Sequence, residues 1–273
     1  VYLATEDAIH IYDHVDVAAT LNVEDSLPEP GVVSLDHQWV AMKGHSKFSK
    51  RNPKLRREDW QLAKLFTGND LWVDCADSLG IAESGIYEPV ETALLQALIE
   101  PGNCVFDIGA NLGYYSTLIA DWLGGSGVVH AIEPDLDNFE LLNENTAKFQ
   151  QEGLIKLYPL ALGDKVGSEK LFRSKDNAGM HRLYDSVCCD GSFTEVEVCR
   201  GDDLALMPVD FIKIDIEGYE QFALCGLRNT LNQSPNVKIL CEFSPLSMLE
   251  AGASPVEWLR IIKSFGFVVI GHN

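Results

Sequence analysis

An α/β fold built on a doubly wound, mostly parallel sheet, with an N-terminal accessory segment ahead of it, is the fold class that the sequence predicts. Two observations carry it. From about Pro89 onward, short apolar runs that read as strands alternate with stretches of helical periodicity, the pattern of successive βαβ units. The first of those runs ends in the turn Asp107-Ile108-Gly109-Ala110-Asn111-Leu112-Gly113 and passes at once into a helical stripe. In doubly wound sheets that turn is where a nucleotide-like ligand lies. The 273 residues allow a domain over 86–273 and a separate segment over 1–85.

The elements follow in order. Pro89 suits the first turn of a helix whose face is Val90, Leu94, Ala97 and Leu98, and Pro101-Gly102 ends it. CVFDIG (104–109) reads as a short buried strand. Leu112, Tyr115, Leu118, Ile119 and Trp122 form a helical stripe closed by Gly124-Gly125, and VVHAIE (128–133) is the next strand. Pro134 opens a helix carrying Leu136, Phe139, Leu142, Thr146 and Phe149, followed by the strand LIKLYPL (154–160). Residues 163–202 break the alternation, with a hairpin expected between EKLF (169–172) and EVEVC (195–199), where substrate contacts are readily grafted. FIKIDI (211–216) resumes as a strand, a single helix is expected through Phe222, Leu224, Leu227 and Leu231, and VKILCEF (237–243) is a further strand. Ser254-Pro255-Val256-Glu257 is a capping box ahead of a helix that Gly266 stops, and FVVI (267–270) is the last strand.

Composition bounds the function. Hydrophobic residues make up 46% and charged residues 23% of the chain, a globular composition. A net charge of −20 repels phosphate backbones and anionic bilayers, so the expected partner is a small neutral or cationic molecule, with neither nucleic acid nor membrane. Seven cysteines without a C-x-x-C pair argue against a disulfide framework and a zinc ribbon, and fit reduced thiols in the cytoplasm. No basic leader or long apolar stretch is visible. Residues 1–42 hold eight acidic side chains and no Lys or Arg, whereas 43–66 hold eight basic and two acidic ones, a block that reads as a solvated loop or a dock for an anionic partner. His10 and His14 lie four apart but lack a third ligand.

The turn at 107–113 selects a cofactor on charge. A dinucleotide fingerprint counted from Gly109 needs glycine also at Asn111 and Tyr114, and both positions fail. Asp107 opposes a pyrophosphate but suits the ammonium and sulfonium of S-adenosylmethionine. Glu133, at the end of the next strand, stands where an acidic side chain accepts both ribose hydroxyls.

The segments GIYEPVETALL, PGNCVFDIGANLGYYSTLIA, GVVHAIEPDLDNFELLNENTAKF, LYPLALGD, VDFIKIDIEGYE and ILCEF, in this order, resemble an FkbM-type methyltransferase over about residues 85–245. The resemblance implies a class I, Rossmann-like, S-adenosylmethionine-dependent methyltransferase acting on a hydroxyl of a sugar, polyketide or related natural product. It implies that Asp107, Gly109, Ala110, Asn111 and Gly113 surround the methionine part of the cofactor. Glu133 would hold the ribose, Asp164 would lie near the adenine, and Glu88 would complete the set. The usual final antiparallel strand of that fold is not visible in this sequence.

The catalytic candidates lie at the carboxyl ends of the later strands. Asp215 is placed to meet the reactive end of the cofactor, with Lys213 on the same side of its strand, while Glu217 and Glu242 are placed to orient an acceptor. Glu217 and Glu220 have the alternative of capping a helix N-terminus. His181, in DNAGMHRLYDS, is the expected base, since imidazole titrates near 6.5. A divalent metal on Asp215, Glu217 and Glu242 is an alternative route to an activated hydroxyl. A subunit that binds the cofactor without chemistry and an NAD-dependent oxidoreductase are the rival functions.

Overall fold

The structure, a computed structural model, describes residues 38–42, 57–174, 178–204 and 208–271. The His10/His14 pair, the acidic stretch up to residue 37 and the basic stretch 43–56 lie outside the described residues.

The strands are β1 (Gln38–Met42), β2 (Trp60–Lys64), β3 (Asp70–Asp74), β4 (Cys104–Ile108), β5 (Val128–Ile132), β6 (Ile155–Tyr158), β7 (Ala161–Leu162), β8 (Gly167–Ser174), β9 (Cys189–Cys199), β10 (Phe211–Ile214), β11 (Lys238–Cys241) and β12 (Phe267–Gly271). Seven of them form one sheet in the order β12-β1-β11-β10-β4-β5-β6, every neighbouring pair parallel. Among the described residues no antiparallel strand joins it. From β4 the chain winds outward through β5 and β6, then returns to the other side of β4 as β10. That reversal between β4 and β10 is the switch point at which the carboxyl ends of two strands open a crevice. All five residues of β4 are buried, as expected of a strand covered on both faces.

Helices cover the sheet at Pro89–Leu98, Tyr114–Trp122, Leu136–Gln151 and Pro255–Ser264, close to their expected positions. At Leu136–Gln151 the cap is Asp135, which accepts hydrogen bonds from the Asp137 and Asn138 amides. Ser254 Oγ caps Pro255–Ser264 by accepting from the Glu257 amide at 3.3 Å, but the return half of the capping box is absent. The Ser254 amide donates instead to Gln221 Oε1 at 2.9 Å, and Glu257 pairs with Arg260.

One expectation is corrected and one helix is added. The single helix through Phe222–Leu231 is two, Glu220–Cys225 and Arg228–Gln233. The break falls at Gly226, whose backbone lies so close to Gly163 that a Cβ would sit 2.0 Å from the Gly163 carbonyl oxygen, and at Leu227, which leaves helical geometry at φ −108°. Ser244 caps a further helix, Pro245–Glu250, that the periodicity did not reveal.

Ahead of the main domain, β1 lies within the large sheet and β2–β3 form an antiparallel hairpin. Asn145 fixes that hairpin to helix Leu136–Gln151, accepting from the Trp72 amide at 2.6 Å and donating to the Trp72 carbonyl at 2.8 Å. The irregular insert carries its own sheet, β7-β9-β8, with the expected antiparallel pairing between β8 and β9. Among the described residues no helix is long and apolar enough to cross a membrane.

Candidate active site

The crevice is assembled first by backbone. Gly109 follows β4 at φ 81°, and a Cβ there would lie 2.0 Å from the Asp215 carbonyl oxygen, so the glycine is imposed by the neighbouring strand. Asn111 also adopts the left-handed region, at φ 51°, with its Oδ1 accepting from the Leu112 amide at 2.6 Å. Gly113 meets Leu142 on the adjacent helix, where a Cβ would sit 2.8 Å from the leucine side chain; it serves helix packing.

Glu133 is buried at the end of β5. Its Oε2 accepts from the Asn111 amide at 2.8 Å and its Oε1 from the Asp135 amide at 2.9 Å, which aims the carboxyl at the cavity. Burial, with Asp135 adding to it, pushes this carboxyl up from 4.5 to about 8.

One cavity brings together Glu88, Gly109, Ala110, Asn111, Glu133, His181, Asp215, Glu217 and Glu242. Three expected residues stand outside its lining. Asp107 lies behind the wall, fully buried, with Oδ2 accepting from Ser116 Oγ at 2.6 Å and Oδ1 3.6 Å from Lys213 Nζ. Gly113 is occupied with Leu142, and Asp164 is half-buried beyond the lining.

The carboxylate oxygens of Asp215, Glu217 and Glu242 lie within 4.8 Å of one another. Asp215 Oδ2 faces Lys213 Nζ at 3.5 Å, and Glu217 Oε2 accepts from Arg182 at 3.0 Å. Glu217 sits at φ 56° and its carbonyl accepts from the Tyr184 hydroxyl at 2.7 Å, so the insert grips it twice. Glu220 turns back on the loop before its helix, its Oε1 accepting from the Ile216 and Gly218 amides, and no side chain caps that helix; burial pushes the Glu220 carboxyl up to about 7.

His181 reaches the cavity wall in a geometry that bears on its chemistry. The Ser174 amide donates to Nδ1 at 3.1 Å, and an amide N–H is only a donor, so the neutral ring carries its hydrogen on Nε2. That Nε2 lies 3.8 Å from Asp135 Oδ2. The lone pair a base needs is therefore engaged by the backbone, and the ring ties the insert to the cap of helix Leu136–Gln151.

Two neighbours escaped the sequence reading. Tyr115, assigned to an apolar stripe, donates its hydroxyl to Glu88 Oε2 at 2.7 Å. Arg182, adjacent to His181, is the partner of Glu217, and nothing in its spacing names that distant carboxylate.

Comparison with known proteins gives one family and a set of distant structural likenesses. A model of the methyltransferase FkbM domain matches residues 107–269. Methyltransferase FkbM from Methylobacillus flagellatus KT is similar at 17% identity and a TM-score of 0.41, over 64% of this chain and 44% of that one. Precorrin-6y C5,15-methyltransferase from Geobacter metallireducens GS-15 is similar at 13% identity and a TM-score of 0.40, over 68% of this chain and 75% of that one. The chain thus spans less than half the length of the Methylobacillus protein. No curated protein sequence matches it significantly.

Proposed function

The chain belongs to the FkbM methyltransferase family, and on that premise we propose that it transfers a methyl group from S-adenosylmethionine to a hydroxyl of a small molecule such as a sugar or other natural product. The observation that carries the reading is the one cavity that joins Glu133 to the three carboxylates beyond β10 and β11. The residues fit the cofactor. Both Glu133 oxygens are held by backbone amides, which orients the carboxyl toward a ribose in the cavity. A pyrophosphate would meet Glu88, Glu133, Asp215, Glu217 and Glu242, which counts against a nicotinamide dinucleotide.

When bound, S-adenosylmethionine supplies a methyl group already activated on a sulfonium. The chain has to align the acceptor and receive one proton. We assign the proton to Glu242, which is 4% exposed at the cavity wall with a carboxylate oxygen within 4.8 Å of those of Asp215 and Glu217. Glu217 and Asp215 orient the hydroxyl beside it, and His181 positions the insert. Residues 1–85 have an accessory role at the crevice in this reading, supported by Leu79 in the cavity wall, and residues 86–273 carry the chemistry.

Calorimetry with S-adenosylmethionine and NAD tests the cofactor; binding of NAD alone would end the reading. Release of S-adenosylhomocysteine across a panel of sugars and glycosylated metabolites tests the reaction. Glu242→Gln should lower the rate by ~10²–10⁴ with cofactor affinity unchanged, and His181→Ala by less. The close carboxylate trio favours one second reading, a hard divalent cation such as Mg²⁺ that lowers the hydroxyl pKa. Loss of turnover on chelation, restored by Mg²⁺, would select it.

A further inference from the structure

Lys213 is an ammonium set into the cavity wall on β10, in register with Asp107 on β4. It is 3% exposed. Three oxygens surround its Nζ: Asp215 Oδ2 at 3.5 Å, the Gly109 carbonyl at 3.5 Å and Asp107 Oδ1 at 3.6 Å. Charge-assisted N–H···O bonds close to about 2.7–2.9 Å, so all three contacts are long. Asp107 Oδ1 is buried without a hydrogen-bond donor, and the Tyr115 ring centroid lies 4.9 Å from the same Nζ. The ammonium is caged by charge while its donors reach nothing at full bonding distance.

Among the described residues, Lys213 is the one lysine or arginine that lines the cavity, 3.5 Å from the Asp215 carboxylate, and the same lining holds Glu88. One cation next to two anions is complementary to an amino-acid zwitterion. We propose that Lys213 reads the α-carboxylate at the amino-acid end of the cofactor, with Asp215 and Glu88 facing its ammonium, an inference that rests on the S-adenosylmethionine reading above. The opposing role is plain neutralisation of Asp107 and Asp215. The two roles differ in sign. A carboxylate reader loses affinity for the zwitterion when the lysine is removed, whereas a neutraliser leaves extra negative charge that attracts sulfonium and ammonium more strongly.

The test titrates the full chain calorimetrically with S-adenosylmethionine and with its decarboxylated analogue, which keeps the adenosine, sulfonium and amine. Wild type should prefer the carboxylated ligand by roughly 10- to 100-fold, the range of a hydrogen-bonded charge pair. Lys213→Met strands a buried carboxylate, so Lys213→Met/Asp107→Asn is made beside it to keep the charge balance, with folding checked by thermal melting. In whichever variant melts cooperatively, the preference should fall to within about twofold. A preference that stays at its wild-type value, or tighter binding of S-adenosylmethionine, overturns the role of Lys213 alone. Wild type that binds neither ligand overturns the cofactor reading and this inference with it.

Discussion

At the scale of single residues, Glu133 gives the sharpest expectations. Its carboxyl holds a proton to about 8 in the folded chain, against 4.5 for the ordinary group, chiefly because burial penalises the anion. A raised acid pKa means the folded state binds the proton more tightly than the unfolded one, so this group's contribution to stability declines as pH rises from about 4.5 to about 8. Glu133→Gln should remove that decline: urea midpoints of wild type and variant should draw apart between pH 5 and 8, with wild type losing ground. Accepting from a ribose hydroxyl while three protein donors already face the carboxyl favours the anion, so cofactor affinity should climb with pH toward 8 by up to about tenfold per unit. In Glu133→Gln the climb should disappear and affinity should fall by about 1–3 kcal/mol, read by calorimetry across pH. Gly109→Ala places a methyl group onto the Asp215 carbonyl at a positive φ; it should cost more than about 3 kcal/mol, measured by denaturant unfolding.

At the scale of elements, β4, β5, β6, β10, β11 and β12 were legible because each is a short apolar run bounded by Gly, Pro or a capping residue, whereas β1, which comes from the segment set apart as accessory and enters the sheet between β11 and β12, was not. The helix break at Gly226 was not legible, since it answers to the backbone of Gly163, 63 positions away in the chain by their numbers. The same holds for the site. Glu133, Asp215, Glu217 and Glu242 could be placed because strand ends converge by topology alone. That Asp107 faces Ser116 and Lys213 behind the wall, or that His181 accepts from Ser174, depends on side-chain packing that spacing does not encode. The insert is held by Arg182 and Tyr184 on Glu217 and by Ser186 on Glu250. Arg182→Met should therefore speed amide hydrogen exchange across residues 179–189 while exchange in β4 and β5 stays unchanged. Ser254→Ala removes one cap and should cost about 1 kcal/mol, seen as a lower thermal midpoint.

At the scale of the whole molecule, the hairpin ahead of the catalytic domain shares its core: Ala63, Leu65, Leu71 and Val73 are buried in one cluster with Phe106, Leu118 and Trp258. Deleting residues 1–66 removes β1 from between β11 and β12, takes Ala63 and Leu65 out of that cluster and leaves β3 unpaired, so the truncated chain should lose at least about 3 kcal/mol, measured by urea denaturation. A net charge of −20 adds a long-range repulsion that salt screens, and the thermal midpoint should rise as sodium chloride is raised from low concentration toward about 0.5 M.

The small sheet of β7, β8 and β9 packs Ala161, Leu171, Val196 and Val198 into a small cluster, while Leu162 and Cys199 at its base join the main core. The part beyond that base can be swapped as a cassette. The ties of this insert to the main domain include Gly163 against Gly226 and Arg182 and Tyr184 on Glu217, so on the methyl-transfer reading new acceptor preferences are accessible by recombination that keeps Gly163, Arg182 and Tyr184. On that reading, libraries confined to residues 164–198 that leave Arg182 and Tyr184 in place and are screened on acceptors would begin the search.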